Sequence, residues 1–180
     1  MPSTHDASGA QTPHLGGLYM SQANRMKPII GSVVAVESGE DRTRAPTDAE
    51  GFLFVARHML DGAQVLAAAS EVPVIALSHL CGHAAESALK AMLSQVGISA
   101  SKLGKPPLGH GLSNLWARAV AEGVPLSNPP DAWLEQLNRI HAAPYPLRYP
   151  LGLHGVALPN AVAMLRGVEE LVTKAAGRVQ

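Results

Sequence analysis

Apolar residues recur every three or four positions through most of the chain after residue 46, which is the spacing of a helix with one inward face. The first such segment runs from Thr47 to about Ser70. Thr47 is followed three residues later by Glu50, and this pair matches a capping box at a helix start. The positions predicted to face inward are Phe52, Val55, Ala56, Met59, Ala63 and Leu66, with Arg57, Asp61 and Gln64 on the far side.

Two further helices are predicted in the middle of the chain. Residues 73–96 form the second, which a proline opens and Gly97 ends. A loop rich in Gly and Pro covers residues 98–109. The third helix is predicted near residues 110–121, with Leu112, Leu115, Trp116 and Ala119 inward.

The C-terminal part holds two more predicted helices. Residues 128–131, Asn-Pro-Pro-Asp, resemble a helix start, and Trp133, Leu137 and Ile140 give that helix its apolar stripe. Residues 142–157 contain three prolines and cannot be helical throughout. Pro159 then opens a last helix to about residue 175, with Val162, Leu165, Val168 and Val172 inward.

These segments predict an all-α, up-and-down bundle of about five helices over residues 47–176. Residues 1–46 are rich in small polar residues and are expected to form a flexible or extended arm. Within that arm the β-branched run 29–36 is a candidate short strand. Residues 177–180 are expected to be a tail.

The composition favours a soluble globular protein. Apolar residues make up 47% of the 180 positions and charged residues 16%. The net charge of zero argues against broad electrostatic binding to duplex DNA or to an anionic membrane. The lone cysteine, Cys81, is expected to be a buried and inert thiol. No secretion signal or membrane-spanning run is recognised, and a cytoplasmic location is expected.

The second predicted helix carries the most informative residues. At 3.6 residues per turn, His79, His83, Glu86 and Lys90 fall on one narrow stripe. This stripe is either a ligand-binding site or the solvent-exposed face of an ordinary amphipathic helix. It is expected to lie at a crevice or on the outer surface of the bundle. The opposite side of the helix carries Leu77, Cys81, Ala84, Ala88 and Met92.

The spacing of the histidines in this helix also bears on metal chemistry. His79 and His83 are four residues apart, a spacing that can bind zinc, so a metal-binding bundle is an open alternative. Leu80 stands where the helical zinc-protease motif needs Glu, and no phosphate loop or dinucleotide fingerprint is present. We therefore predict neither a metal nor another cofactor.

The loop before the last helix offers a candidate pair for RNA cleavage. Arg148 could hold a scissile phosphate, and His154 could move protons at a 2′-hydroxyl or at the leaving oxygen. Tyr145 and Tyr149 flank the arginine, and aromatic rings beside a cation can stack on bases. His110, just before the third helix, is a further candidate site residue.

The order of these motifs resembles the HEPN domain, the family named for nucleotide binding in higher eukaryotes and prokaryotes. The resemblance covers roughly residues 48–176. It rests on the run from His83 to Gly97, which contains Glu86 and Lys90, and on Gly109-His110-Gly111-Leu112-Ser113-Asn114-Leu115. Arg148 and His154 match the family's spacing of Arg, four to six residues, then His, although Tyr149 replaces the usual polar residue after Arg.

The resemblance implies a helical bundle that usually forms a homodimer. Many members cleave RNA without a metal, often as toxins that have an antitoxin partner, while others bind nucleotides or serve as partner modules. We therefore expect a non-catalytic nucleotide- or RNA-binding or partner protein. A metal-independent endoribonuclease using Arg148 and His154 is the alternative, and its active cleft would be shared between two copies. His79, His83, Glu86, Lys90, His110 and Tyr149 are the expected ligand-binding residues.

Overall fold

The structure, a computed structural model, describes residues 44–149 and 155–179. Over these ranges the chain is helical and contains no strand, which confirms the predicted all-α class. The candidate strand 29–36 and residues 1–43 of the predicted arm lie outside the described residues. The helices are α1 (Asp48–Ala67), α2 (Val74–Gln95), α3 (Ala100–Leu103), α4 (Leu112–Ala121), α5 (Ala132–His141) and α6 (Ala161–Arg178).

The helix ends follow local signals in the sequence. At the start of α1, the Glu50 amide donates to Thr47 Oγ1 at 3.2 Å. In return the Thr47 amide donates to Glu50 Oε2 at 2.7 Å, so the predicted capping box forms. At the end of α2, Gly97 adopts a φ of 92°, a left-handed conformation that suits glycine. The Ile98 amide can then donate back to the Leu93 carbonyl and close the helix.

Three boundaries differ from those predicted. The four-residue helix α3 lies inside the segment predicted as loop, because one helical turn is too short to carry an apolar period. Both prolines of the 128–131 motif precede α5, and Asp131 is its N-cap residue. Helix α6 begins after Asn160, whose side chain accepts from the Ala163 amide, and continues to Arg178.

Helix α2 is the central element of the bundle and packs against α1, α4, α5 and α6. Because neighbours surround it, every residue from position 84 to position 93 is buried. Cys81 is buried as expected, and burial raises the pKa of its thiol to about 12. None of the helices in the described ranges has the length and apolar character needed to cross a membrane.

The inward face of two outer helices is partly different from the prediction. Leu53 and Leu60 are buried on α1, whereas Val55 is exposed. The residues at positions 52–55 are all apolar, so the pattern alone leaves the orientation of this turn open. Val162, predicted to face inward from α6, is exposed because it lies in the first turn of the helix, before the buried stripe starts at Met164.

A close contact between α5 and α6 leads to a first testable prediction about stability. A Cβ added at Gly167 would lie 2.2 Å from Cε2 of Trp133, so Gly167→Ala must displace a buried indole. We expect this change to lower the free energy of unfolding by about 1–3 kcal/mol in urea titrations. Gly177→Ala, on the same helix with nothing within 4 Å, is the control and should be neutral or slightly stabilising. Equal effects of the two changes would contradict this packing.

Candidate functional site

A buried carboxylate on α2 is the centre of the site. The side chain of Glu86 is only 8% exposed, yet three side chains donate to it. Lys90 Nζ, one turn along α2, donates to Oε1 at 2.6 Å. His110 Nδ1 and His141 Nε2 donate to Oε2 at 3.0 and 2.8 Å. We call Glu86, Lys90, His110 and His141 the carboxylate network; it joins α2 to the start of α4 and the end of α5.

The network keeps Glu86 ionised. Burial alone would raise the pKa of the Glu86 carboxyl, but hydrogen bonds from His141, Lys90 and His110 outweigh it and lower the pKa to about 2. Glu86 therefore carries a negative charge at neutral pH, and the Lys90 ammonium beside it provides a matching positive charge. Each imidazole offers its N–H to the carboxylate, which fixes the orientation of both rings.

His141 is a member of the network that the sequence interpretation missed. It is almost fully buried and lies against the backbone of α2, where a Cβ on Gly82 would come within 2.4 Å of its Nδ1. A signal was present in the sequence, because His141 continues the inward stripe of Trp133, Leu137 and Ile140 on α5. A histidine on an apolar stripe indicates a buried polar partner on another helix.

A second set of imidazoles extends the site toward the surface. The ring of His83 lies edge-on to those of His141 and His79, at 5.0 and 4.7 Å between centroids. Burial, with the charge of His141 next, lowers the pKa of His83 to about 4, and burial also lowers the pKa of His79. His83 is therefore neutral at pH 7, and its Nε2 can accept a hydrogen bond.

The donor to His83 is Arg148, from the loop between α5 and α6. Its Nη2 lies 3.0 Å from His83 Nε2. Its Cζ lies 5.5 Å from the centre of the Tyr145 ring, so the guanidinium is held on two sides. Tyr145 has a φ of 61°, rare for a residue with a side chain, and the Arg148 and Tyr149 amides both donate to its carbonyl. This tight turn brings Arg148 back to α2.

Tyr145 also links the two parts of the site. Its ring centre is 5.7 Å from that of His110, and both residues line a cleft of about 420 Å³ between the 104–111 loop and residues 142–145. The side chain of His110 is 41% exposed, unlike the buried His141. Arg148 and His79 also line a second, mostly apolar groove of about 780 Å³, together with residues at the start of α2.

Most of the predicted site residues lie close together in the structure. The stripe of His79, His83, Glu86 and Lys90 forms as predicted, and His110 joins it. The expectation that the whole stripe lies at a crevice or outside is wrong for Glu86 and Lys90, which are buried because α4 and α5 cover them. Arg148 reaches the stripe through His83.

One predicted residue, Tyr149, does not join this arrangement. Tyr149 is exposed, and the aromatic ring beside Arg148 is that of Tyr145. His154 lies outside the described residues, so its pairing with Arg148 stays a prediction.

The geometry also bears on the metal alternative. The ligand atoms that come within 4.8 Å of one another belong to His83, Glu86 and His141, and not to the predicted pair of His79 and His83. Glu86 is already neutralised by Lys90, and Arg148 contacts His83. A divalent cation here would face two positive side chains with a single carboxylate, which is unfavourable. The charges suit an anion instead.

Comparison with protein families, with curated proteins and with solved structures finds no match to this chain. The resemblance to the HEPN family therefore rests on the sequence motifs alone. Glu86 and Lys90 come from one of the two motifs that carry it and His110 from the other, and all three meet in the carboxylate network.

Proposed function

We propose that this chain is a HEPN-like protein that binds a phosphate-bearing ligand, a nucleotide or RNA, at Arg148 and the histidines beside it. The observation that carries the proposal is the position of Arg148. Its guanidinium is exposed, but its orientation is fixed by His83 and by the Tyr145 ring. A preoriented arginine can bind a phosphate through bidentate hydrogen bonds, and it loses less side-chain entropy on binding than a freely moving arginine does.

The local charge supports an anionic ligand. Among the groups that carry charge at neutral pH, Glu86 contributes one negative charge while Lys90 and Arg148 contribute two positive charges. Lys90 is buried and paired with Glu86, so the unbalanced positive charge is that of the exposed Arg148. The chain as a whole has zero net charge, so attraction of a polyanion depends on this site and not on the overall field.

The surroundings of Arg148 support a nucleotide over a simple phosphate ion. Tyr145 gives the site an aromatic face beside the cation, and base stacking on such a face is sequence-tolerant. The adjoining cleft of about 420 Å³ falls within the range of small-molecule sites, roughly 300–1,000 Å³. One nucleotide unit therefore has room beside Tyr145, whose ring contacts the arginine.

Binding of a fluorescently labelled single-stranded RNA, followed by anisotropy with ribonucleotides as competitors, tests the proposal. Arg148→Ala should weaken binding by about 10- to 100-fold, because a charge-assisted hydrogen bond contributes about 1.5–3 kcal/mol. Arg148→Lys should fall between, since it keeps the charge and loses the planar fork. Affinity should also decrease as salt is raised.

The matched control is Arg118→Ala. Arg118 is exposed in the last turn of α4, where it pairs with Glu122. Its replacement should leave RNA affinity unchanged within about twofold, because surface pairs of this kind contribute little. The proposal fails if neither RNA nor ribonucleotides bind, or if the Arg118 and Arg148 variants behave alike.

A further inference from the structure

The groove at the start of α2 has a lining unlike that of the cleft beside Tyr145. Apart from His79 and Arg148, the described residues that line it are apolar. Leu80 and Leu147 are partly buried against the core, whereas Ile75, a large apolar side chain, is 63% exposed. A ligand that covered these side chains would remove apolar surface from water, which favours a ligand with an apolar body.

The polar groups of the lining belong to His79 and Arg148. Burial lowers the pKa of His79, so this imidazole is neutral at pH 7. Among the described residues of the lining, the charge is therefore that of the Arg148 guanidinium. Its bond to His83 uses one N–H donor, and the guanidinium has further donors for a ligand. One positive charge beside an apolar surface is complementary to an apolar ligand with one negative charge.

We propose that this groove binds a fatty acid, with the alkyl chain against Ile75, Leu80 and Leu147 and the carboxylate on Arg148. The chain supplies most of the affinity through burial of its methylenes. The carboxylate fixes the orientation, because its two oxygens match the planar fork of the guanidinium. The volume of about 780 Å³ falls within the range of small-molecule sites, roughly 300–1,000 Å³.

The same lining is poorly suited to a nucleotide. Sugar hydroxyls and base edges buried against apolar side chains would lose their hydrogen bonds to water without replacement. The cleft beside Tyr145, which His110 and Asn114 also line, offers such groups polar partners. The two ligand classes therefore differ in the surface that their bodies contact, and they share the arginine.

This inference goes beyond the proposed function and does not require RNA or a nucleotide to bind. Because both ligands use the Arg148 guanidinium, a bound fatty acid excludes a phosphate from it. A fatty acid would then act as a competitive regulator of the phosphate site.

Nuclear magnetic resonance of the ¹⁵N-labelled full chain at pH 7 tests the proposal, with octanoate, decanoate or octan-1-ol added below micellar concentrations. Decanoate should shift the amide resonances of residues 74–80 and 147–148. It should bind about 5- to 15-fold more tightly than octanoate, because two further methylenes are buried. Octan-1-ol has the octanoate chain length without the charge and should bind at least about 10-fold more weakly than octanoate.

Three variants separate the charge from the apolar lining. Arg148→Ala should weaken decanoate binding by about 10- to 100-fold and leave octan-1-ol binding within about threefold. Ile75→Asn should weaken both by at least about threefold, since it removes apolar contact area. Val162→Asn is the matched control, because Val162 is 78% exposed on α6 and does not line the groove. It should leave both affinities within about twofold of those of the natural protein.

The possible results distinguish the parts of the proposal. Octan-1-ol binding as tightly as octanoate, or an Arg148→Ala variant that binds decanoate normally, would overturn the carboxylate pairing. Amide shifts confined to other residues, or equal effects of Ile75→Asn and Val162→Asn, would overturn the groove.

Fatty acid and RNA binding can also be judged separately. If RNA binds through Arg148 and decanoate causes no shifts, this inference fails and the proposed function stands. If decanoate binds while RNA and ribonucleotides do not, the inference stands and the proposed function fails. Where both bind, decanoate should displace the labelled RNA, and simultaneous binding would overturn the shared use of Arg148.

Discussion

Glu86→Gln is expected to lower the free energy of unfolding by about 3–5 kcal/mol at pH 7, and the melting temperature by about 10–20 °C. The change removes the counter-charge of Lys90, whose side chain is only 8% exposed. It also places an amide N–H₂ where the lysine and the two histidines all donate. An unpaired buried ammonium is among the largest single penalties in a folded domain.

A double-mutant cycle isolates the buried charge. Lys90→Met alone should lower the free energy of unfolding by less than Glu86→Gln does, because the carboxylate keeps its two imidazole donors. The double variant Glu86→Gln with Lys90→Met should be less destabilised than the two single costs together, by about 1–3 kcal/mol, since no charge remains unpaired. Urea titrations followed by circular dichroism give all four values.

An ion pair at the same spacing serves as the control. Arg166 and Glu170 on α6 are also four residues apart and in contact at 3.0 Å, but they are 79% and 57% exposed. Glu170→Gln should cost no more than about 0.5 kcal/mol, as solvent and salt screen such pairs. If the free energy of unfolding of Glu86→Gln is within about 1 kcal/mol of that of the natural protein, the network does not hold α2, α4 and α5 together.

Local signals explain why the helices were largely predictable. Thr47 with Glu50, Gly97 and Asn160 each act within one turn of a helix end, so neighbouring residues in the sequence contain the whole interaction. The orientation of a helix is less local. The consecutive apolar residues at the start of α1 are compatible with two different inward faces. Packing against α2 determines that Leu53 is buried and Val55 is exposed.

The site was only half predictable for the same reason. The stripe of His79, His83, Glu86 and Lys90 follows from helix geometry alone. The burial of Glu86 and Lys90 depends on α4 and α5, and the partners His110 and His141 are 24 and 55 residues from Glu86 in the chain. No periodic pattern reports a contact at such separations, so a polar stripe on a central helix and one on a surface helix look alike in the sequence.

Acid should lower the free energy of unfolding in two steps, and each step is caused by a different residue of the site. The pKa of Glu86 is lowered to about 2 from an ordinary value of 4.5, so the unfolded chain binds more protons than the folded one below pH 4.5. Stability from this group is present above 4.5 and is lost as the pH falls toward 2, by about 3 kcal/mol in all. Glu86→Gln should remove most of this lower step.

The upper step belongs to the histidines near Arg148. The pKa of His83 is lowered from 6.5 to about 4, chiefly by burial, so the folded protein resists its protonation. The unfolded chain again binds more protons, and stability should decline as the pH falls from 6.5 to 4. His83→Gln should make stability nearly independent of pH over this range, whereas His58→Gln on the exposed face of α1 should leave the pH dependence unchanged.

Measurement in 0.5 M NaCl removes the main competing contribution. The pKa of Glu50 is also lowered to about 2, by its hydrogen bonds with Arg44 and Thr47, but this carboxyl is exposed and its ion pair with Arg44 weakens with salt. The buried pair of Glu86 and Lys90 is screened far less. Urea midpoints between pH 7 and pH 3 at high salt therefore report the site, and a midpoint that is flat from pH 7 to pH 5 would show that His83 is not held neutral in the folded protein.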